Sequence, residues 1–236
     1  RALQKLAAAG PWAQTAAGVS IHVDKRIPIA GGMAGGSADA AAALVACNQL
    51  WGLGLTLEQL CQIGRTLGAD VPACIMGGMT LGQGRGDRLT SLLDPEQSLW
   101  PCHYWVMARA HHGLSTPEVF RTLDQLREGG VPAQLSDVER HALCSDADTL
   151  ASVLCNDLTA PALHLYPELA TTIHDAKDAG ACAAILSGSG PTIAVLARDS
   201  EHADELAEAL RTSSEVSAVL PASGPAVGAI VEEEES

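Results

Sequence analysis

Two stretches of this chain hold residue types suited to handling a phosphoryl group. The first is a glycine-rich run, Gly31-Gly32-Met33-Ala34-Gly35-Gly36-Ser37, lying between an alternating segment and one dense in Ala and Leu. Glycines let the main chain come close to an anion, N–H groups and a following helix end supply positive potential, and Ser37 can donate a hydroxyl. The second is Asp70 in Gly68-Ala69-Asp70-Val71-Pro72. A carboxylate within reach of an alcohol can take its proton as the oxygen attacks phosphorus. Each stretch also has a plainer reading. A glycine run punctuates tight turns, and an aspartate ahead of Val-Pro suits a helix N-cap. The run lacks the Gly-Lys-Ser/Thr ending of a Walker A loop and the Gly-x-Gly-x-x-Gly spacing of dinucleotide sites.

The elements that must hold these residues follow from periodicity and punctuation. Residues 19–24 alternate apolar and polar, the period of a half-buried strand, and Pro28 ends regular pairing. Residues 40–51 form an Ala/Leu-rich helix stopped by Gly52 and Gly54. Thr56 with Gln59 makes a capping box for a helix over 57–67, ended by Gly68. A short helical segment opens at Asp70, and glycines from Gly77 to Gly86 punctuate short extended pieces. Composition shifts at Asp94-Pro95-Glu96, which sets expected domains of 1–95 and 96–236. In the second half, an apolar segment covers 105–108, and Thr116-Pro117-Glu118 reads as an N-cap, an early proline and a first-turn acid. Helical stretches are expected near 138–154 and 168–179, a strand over 192–197, a helix capped by Ser200, and a last strand over 227–231. The closing acidic run reads as a solvated tail.

Composition excludes several classes. A net charge of −14 works against nonspecific nucleic-acid binding, which needs clustered Lys and Arg. No uninterrupted apolar run has the length of a membrane helix. The seven cysteines show neither metal-ligand nor redox spacing, which fits inert thiols in a reducing cytoplasm and no metal site. The pair His111-His112 lacks a partner at ligand spacing and reads as a solvated loop. Arg85 and Arg88 are open between phosphate contact and plain surface charge. The chain starts with Arg1 inside a helix-like stretch, so a preceding segment is expected.

The string from Pro28 through Ile29, Ala30, Gly31, Gly32, Met33, Ala34, Gly35, Gly36 and Ser37 to Ala41 resembles the second motif of the GHMP kinases. It is most similar to the variant carried by the branch that phosphorylates a cytidine-diphosphate-linked methylerythritol. Ala30, Met33, Ala34 and Ala38 depart from that variant, all by small or apolar exchanges. The Gly68-to-Pro72 string resembles that branch's aspartate segment. Ser187-Gly188-Ser189-Gly190 resembles the family's third motif, and Ser115-Thr116 with Phe120 resembles its Ser-Thr-x-x-Phe/Tyr segment. Nothing ahead of Val19 resembles the first motif, which brings a lysine, and Lys5 does not take that role.

The resemblance implies an α+β GHMP kinase fold. An N-terminal β-α-β domain, truncated here, packs on a C-terminal ferredoxin-like domain, with the active site between them. It implies a kinase using ATP with Mg2+, with a cytidine-diphosphate small molecule as its phosphate acceptor. Asp70 would be the base. Lys25, Pro28, Ala30 and the run from Gly31 through Gly32, Met33, Ala34, Gly35 and Gly36 to Ser37 would bind ATP. Thr116 and Phe120 would bind the acceptor, and the loop of Ser187, Gly188, Ser189 and Gly190 would pack on the phosphate loop. Taken as a lone aromatic on a helix, Phe120 equally suits a core. The expected setting is cytoplasmic, as a monomer or homodimer, without nucleic acid or membrane. Two alternatives stay open: a GHMP kinase for homoserine, mevalonate or a sugar, and a nucleotide-binding fragment without catalysis.

Overall fold

The computed structural model describes residues 2, 4, 6, 18–29, 31–92, 101–127 and 135–232. The chain divides into two compact units. One comprises Arg1–Arg26, Ala34–Gln97 and Ala226–Ser236; the other comprises Ile27–Met33 and Ser98–Pro225. The composition shift at 94–96 and the acids after Glu232 lie outside the described residues.

Among the described residues, the core of the first unit is built from helices. Ala2, Gln4 and Leu6 are helical, and Leu6 is buried. Helix α1 (Gly35–Leu50) buries Ala41, Leu44 and Cys47, every third residue along one face. It starts five residues ahead of the Ala/Leu-rich stretch because the glycines Gly35 and Gly36 already form its first turn. Helix α2 (Leu57–Arg65) opens with the expected capping box. The Thr56 hydroxyl accepts from Gln59 N at 3.3 Å, and the Gln59 side chain accepts from Thr56 N at 2.9 Å. Helix α3 (Val71–Met76) crosses α2 closely, since a Cβ on Gly64 would lie 3.0 Å from Val71 Cγ1 and 3.2 Å from Ile75 Cδ1. Leu6, Ala41, Leu44, Cys47, Leu60, Cys61, Val71 and Ile75 form the core of this unit. Full burial of a leucine or valine contributes about 1.5–3 kcal/mol.

Strands β1 (Thr80–Gln83) and β2 (Arg88–Ser91) pair as an antiparallel hairpin. Arg85 pairs with Asp87 at 2.8 Å within its turn, which holds the Asp87 carboxyl below its usual range. The stretch 19–24 is not a strand. Alternation supplies a face, but a ladder needs a partner. None of the described residues pairs with it, so Ile21 and Val23 stay about half exposed. Residues 227–231 are not a strand either. Val227 makes one isolated bridge to Gly77, and Ala229 N donates to Cys74 O at 2.9 Å, tying this segment to the end of α3.

The second unit is one antiparallel sheet with helices on it. Strands β3 (His103–Ala110), β4 (Ala183–Leu186), β5 (Thr192–Ala197) and β6 (Val216–Gly224) lie in the order β4-β5-β3-β6. Between β3 and β4 run α4 (Thr116–Leu126), α5 (Asp137–Leu143), α6 (Ala147–Ala151), α7 (Thr159–Leu165) and α8 (Leu169–Asp178). Helix α9 (Ser200–Arg211) joins β5 to β6. Two helical crossovers around a central strand pair give the ferredoxin-like arrangement. Val106, Ala108 and Ala110 of β3 and Ile193, Val195 and Ala197 of β5 share one face. They pack with Ala203, Leu206, Ala207 and Leu210 of α9 in a single core.

Several local details differ from the sequence expectation. Asp199, not Ser200, caps α9, its carboxylate accepting from His202 N at 2.8 Å, and an ionised acceptor makes the stronger bond. The expected helix over 138–154 is two helices, because Asp146 starts a new one by accepting from Thr149 N at 2.9 Å. That bond holds Asp146 below the usual carboxylate range. The sequence reading also missed α7 and β6, where Pro161 and Pro221 weakened the pattern. Among the described residues no helix is long and apolar enough to cross a membrane.

Candidate functional site

In the first unit, Asp70 stands at the head of α3, exposed, with φ −83° and ψ −13°. It occupies the N-cap position, yet its carboxylate makes no capping bond. The partial burial of Cys74 and, to a lesser extent, the negative charge of Asp70 push the Cys74 thiol up. A Cβ added to Gly68 would lie 3.6 Å from Val71 Cγ2 and 3.9 Å from Ser37 Oγ. The aspartate segment therefore borders the first turn of α1, where Ser37 sits.

The start of α1 is open. Its N-cap is Ala34, which has no side-chain cap to offer, while Ser37 N and Ala38 N both turn back to Ala34 O at 2.9 Å. The N–H groups at the front of a helix have no carbonyl of their own helix to meet. A side chain at Gly36 would touch nothing within 4 Å. Lys25 Nζ pairs with Asp39 Oδ2 at 2.6 Å, which anchors its charge one turn into α1.

Ala34 adopts φ 50°, ψ 24°, the left-handed region that costs a residue with a Cβ about 1–2 kcal/mol. It stands where the related motif has glycine. Ala34→Gly is expected to raise stability by about 1 kcal/mol, read as a higher urea midpoint at unchanged slope. A lower midpoint would show that the unfolded-state freedom of the new glycine outweighs the relieved strain.

In the second unit, Gly32 meets the loop Ser187-Gly188-Ser189-Gly190. Ser187 Oγ donates to Gly32 O at 3.0 Å. Gly32 has φ +71°, and a Cβ there would overlap Ser187 O and lie 2.7 Å from Gly190 O. A Cβ on Gly188, φ +55°, would in turn lie 2.9 Å from Gly32 O. Both glycines are required by this close main-chain approach. A Cβ on Gly31 would be 2.8 Å from Met33 Cε, 3.5 Å from Pro28 O and 3.6 Å from Thr192 Oγ1.

The same loop reaches α4. Thr116 Oγ1 and Ser189 Oγ share a hydrogen bond of 2.7 Å. Thr116 is therefore the first helical residue with its hydroxyl committed sideways, and the N-cap position falls to Ser115. Phe120, one turn further along α4, is 49% exposed, while Val119 and Thr122 bury the helix's inner face. The core reading of Phe120 is thus overturned.

Asn156 is a residue that the sequence reading passed over. Its amide nitrogen donates to Leu186 O at 2.9 Å and to Gly188 O at 2.8 Å, and its oxygen accepts from Leu158 N at 2.9 Å. The available signal was an Asn-Asp pair two residues ahead of a helix, which marks a turn but not its distant partner. Ala30 lies outside the described residues. His111 and His112 are exposed; His111 Nε2 meets Ser214 O at 3.1 Å and His112 lies against Tyr166. Among the described residues no group of three or more His, Cys, Asp or Glu side chains is arranged to hold a metal ion.

Comparison with known proteins gives this geometry a family. The profile "GHMP kinases N terminal domain" matches residues 1–78, and "GHMP kinases C terminal" matches residues 139–216. A protein of Streptomyces coelicolor named 4-diphosphocytidyl-2-C-methyl-D-erythritol kinase is 48% identical over 216 residues, covering 90% of this chain and 71% of that protein. One of the same name from Nocardia farcinica is 48% identical over 221 residues, covering 92% and 70%. A crystal structure of 4-(cytidine 5'-diphospho)-2C-methyl-D-erythritol kinase superposes with a TM-score of 0.72 at 30% identity, covering 93% of this chain and 78% of that one. With profiles matching in both halves and relatives of this identity aligned along nine-tenths of its length, the chain belongs to the GHMP kinase family.

Proposed function

We propose that this chain transfers the γ-phosphoryl group of ATP to the 2-hydroxyl of 4-diphosphocytidyl-2-C-methyl-D-erythritol, the molecule in its relatives' names. The observation that carries the reading is the Asp70 carboxylate, exposed at the head of α3 and engaged in no capping bond. A carboxylate committed to a cap is held by backbone N–H groups; this one is free to accept a proton.

The phosphates of ATP are met by main chain rather than by a basic patch, which suits a chain of net charge −14. The open start of α1 and the Ser37 hydroxyl receive phosphate oxygens, and Gly36 leaves the approach clear. Pro28 and Gly31, Gly32 and Met33 shape the loop leading into that turn, and Lys25, anchored by Asp39, adds positive potential near α1. Magnesium arrives with ATP as part of the substrate and spreads the charge on its phosphates. As the acceptor oxygen bonds to the γ-phosphorus, its proton passes to Asp70. The bond to the β,γ-bridging oxygen breaks, and ADP leaves with that electron pair. Thr116 and Phe120 take the cytidine end, the ring stacking on the base. The cysteines are free thiols and the nucleotide is ATP, which suits a cytoplasmic setting.

The test compares ADP release with the cytidyl alcohol, homoserine, mevalonate and a hexose. The cytidyl substrate is expected to win in kcat/KM by about 100-fold or more. Equal or better turnover of a small alcohol would overturn the assignment. Phe120→Ala separates recognition from packing. Loss of a stacking face worth about 1–3 kcal/mol raises KM for the cytidyl substrate roughly tenfold. The thermal midpoint stays put, because the ring is already exposed. A lowered midpoint with KM unchanged would make Phe120 a structural residue.

A further inference from the structure

We infer that Asn156 is a positioning residue for the glycine-rich loop, acting through Ser187. An asparagine just ahead of a helix is ordinarily explained by an Asx turn, and Asn156 makes one, its oxygen accepting from Leu158 N at 2.9 Å ahead of α7. That bond accounts for the oxygen only. The amide nitrogen donates to Leu186 O at 2.9 Å and to Gly188 O at 2.8 Å, thirty residues and more away. Those carbonyls flank Ser187 on either side, so a single planar amide holds its backbone from both ends. Two carbonyls demand the nitrogen and one N–H demands the oxygen, so the orientation of the amide follows from its partners.

What this clamp holds is the side chain that reaches the glycine loop. Ser187 Oγ donates to Gly32 O at 3.0 Å, and Gly32 and Gly188 approach too closely for a Cβ on either. The turn is closed independently by Ser187 N donating to Thr192 O at 2.9 Å and Gly190 N donating to Ser187 O at 2.8 Å. These bonds fix the turn on its own strand. Asn156 adds the link from the turn to a separate element, the start of α7. Its neighbour Asp157 pairs with Arg127, the C-cap of α4, whose first residue Thr116 bonds Ser189. Two adjacent side chains thus brace the loop beside Gly32 and the helix that carries Phe120.

The inference rests on the proposed ATP-binding role of the glycine loop for its kinetic consequence, but not for its structural one. Asn156→Asp is the sharpest variant. It keeps the oxygen that serves Leu158, removes both donated bonds, and sets a carboxylate against two carbonyl oxygens. Hydrogen exchange is expected to quicken about tenfold or more in peptides covering 28–33 and 187–190, with β3 and α9 unchanged. KM for ATP is expected to rise tenfold or more, while kcat at saturating ATP changes less than threefold. Arg127→Ala, which cuts the neighbouring ion pair and leaves the amide in place, should leave exchange at 28–33 unaltered.

A purely structural role would look different. Exchange would quicken throughout the unit and kcat would fall with the active fraction, at constant KM; that result overturns the inference. So does exchange at 28–33 within twofold of the parent. Should Asn156→Asp fail to fold, Ser187→Ala removes only the last link, and unchanged exchange at 28–33 in that variant also overturns it. If the parent chain phosphorylates no cytidyl alcohol, the functional reading fails by itself, while the exchange measurements still decide the role of Asn156.

Discussion

Asp70→Asn is expected to lower turnover by about 10²–10⁴-fold, the range of a positioned general base, while leaving ATP affinity and folding stability nearly unchanged. The separation is possible because of a local detail. Asp70 sits at the N-cap of α3 but its side chain accepts no hydrogen bond from that helix. Replacing a working N-cap costs about 0.5–2 kcal/mol, whereas replacing this carboxylate by its isosteric amide removes no such bond. The amide cannot take the proton of the acceptor hydroxyl, so the loss should appear in kcat with little change in either KM. Single-turnover phosphoryl transfer with thermal unfolding on the same sample checks both halves. Full activity in the variant would remove Asp70 from the chemistry, and a large drop in midpoint would return it to the role of a cap.

Gly32→Ala is expected to be the most damaging single-methyl addition in the glycine run. Its φ of +71° alone costs an alanine about 1–2 kcal/mol. The added carbon also has to enter space held by main-chain oxygens of Ser187 and Gly190, which have no rotamer by which to yield. Something in the backbone must move, and the first contact to go is Ser187 Oγ to Gly32 O. A loss of about 2–4 kcal/mol in stability is expected, together with a rise in KM for ATP. Gly36→Ala is the informative contrast. Its Cβ would meet no protein atom within 4 Å, so stability should change little while ATP affinity falls. Equal unfolding midpoints for the parent and Gly32→Ala would disprove the close packing of the two loops.

Motif strings and the capping box at Thr56 were readable without coordinates because their causes lie within a few residues. Thr56 and Gln59 cap α2 as their spacing requires, and the family was evident from four strings in order along the chain. The stretch 19–24 shows the opposite case. Its alternation is real, but strand formation is decided by a partner, which no residue can announce about itself. Val227 has the same limitation, with one bridge to Gly77 in place of a ladder.

The glycine run carries both lessons. That its backbone must be free of side chains is written in its composition, and so is the expectation of an anion at the helix that follows. Which glycine serves which purpose is not. Gly32 is needed because another loop, 155 residues away, lies against its main chain, whereas Gly36 opens onto space. Asn156 was silent for the same reason: an asparagine before a helix announces its short bond to Leu158 but not its two long ones to Leu186 and Gly188. Residue type and spacing determine contacts made along the chain; contacts between distant segments exist only once the sheet has brought their carbonyls within reach of a donor.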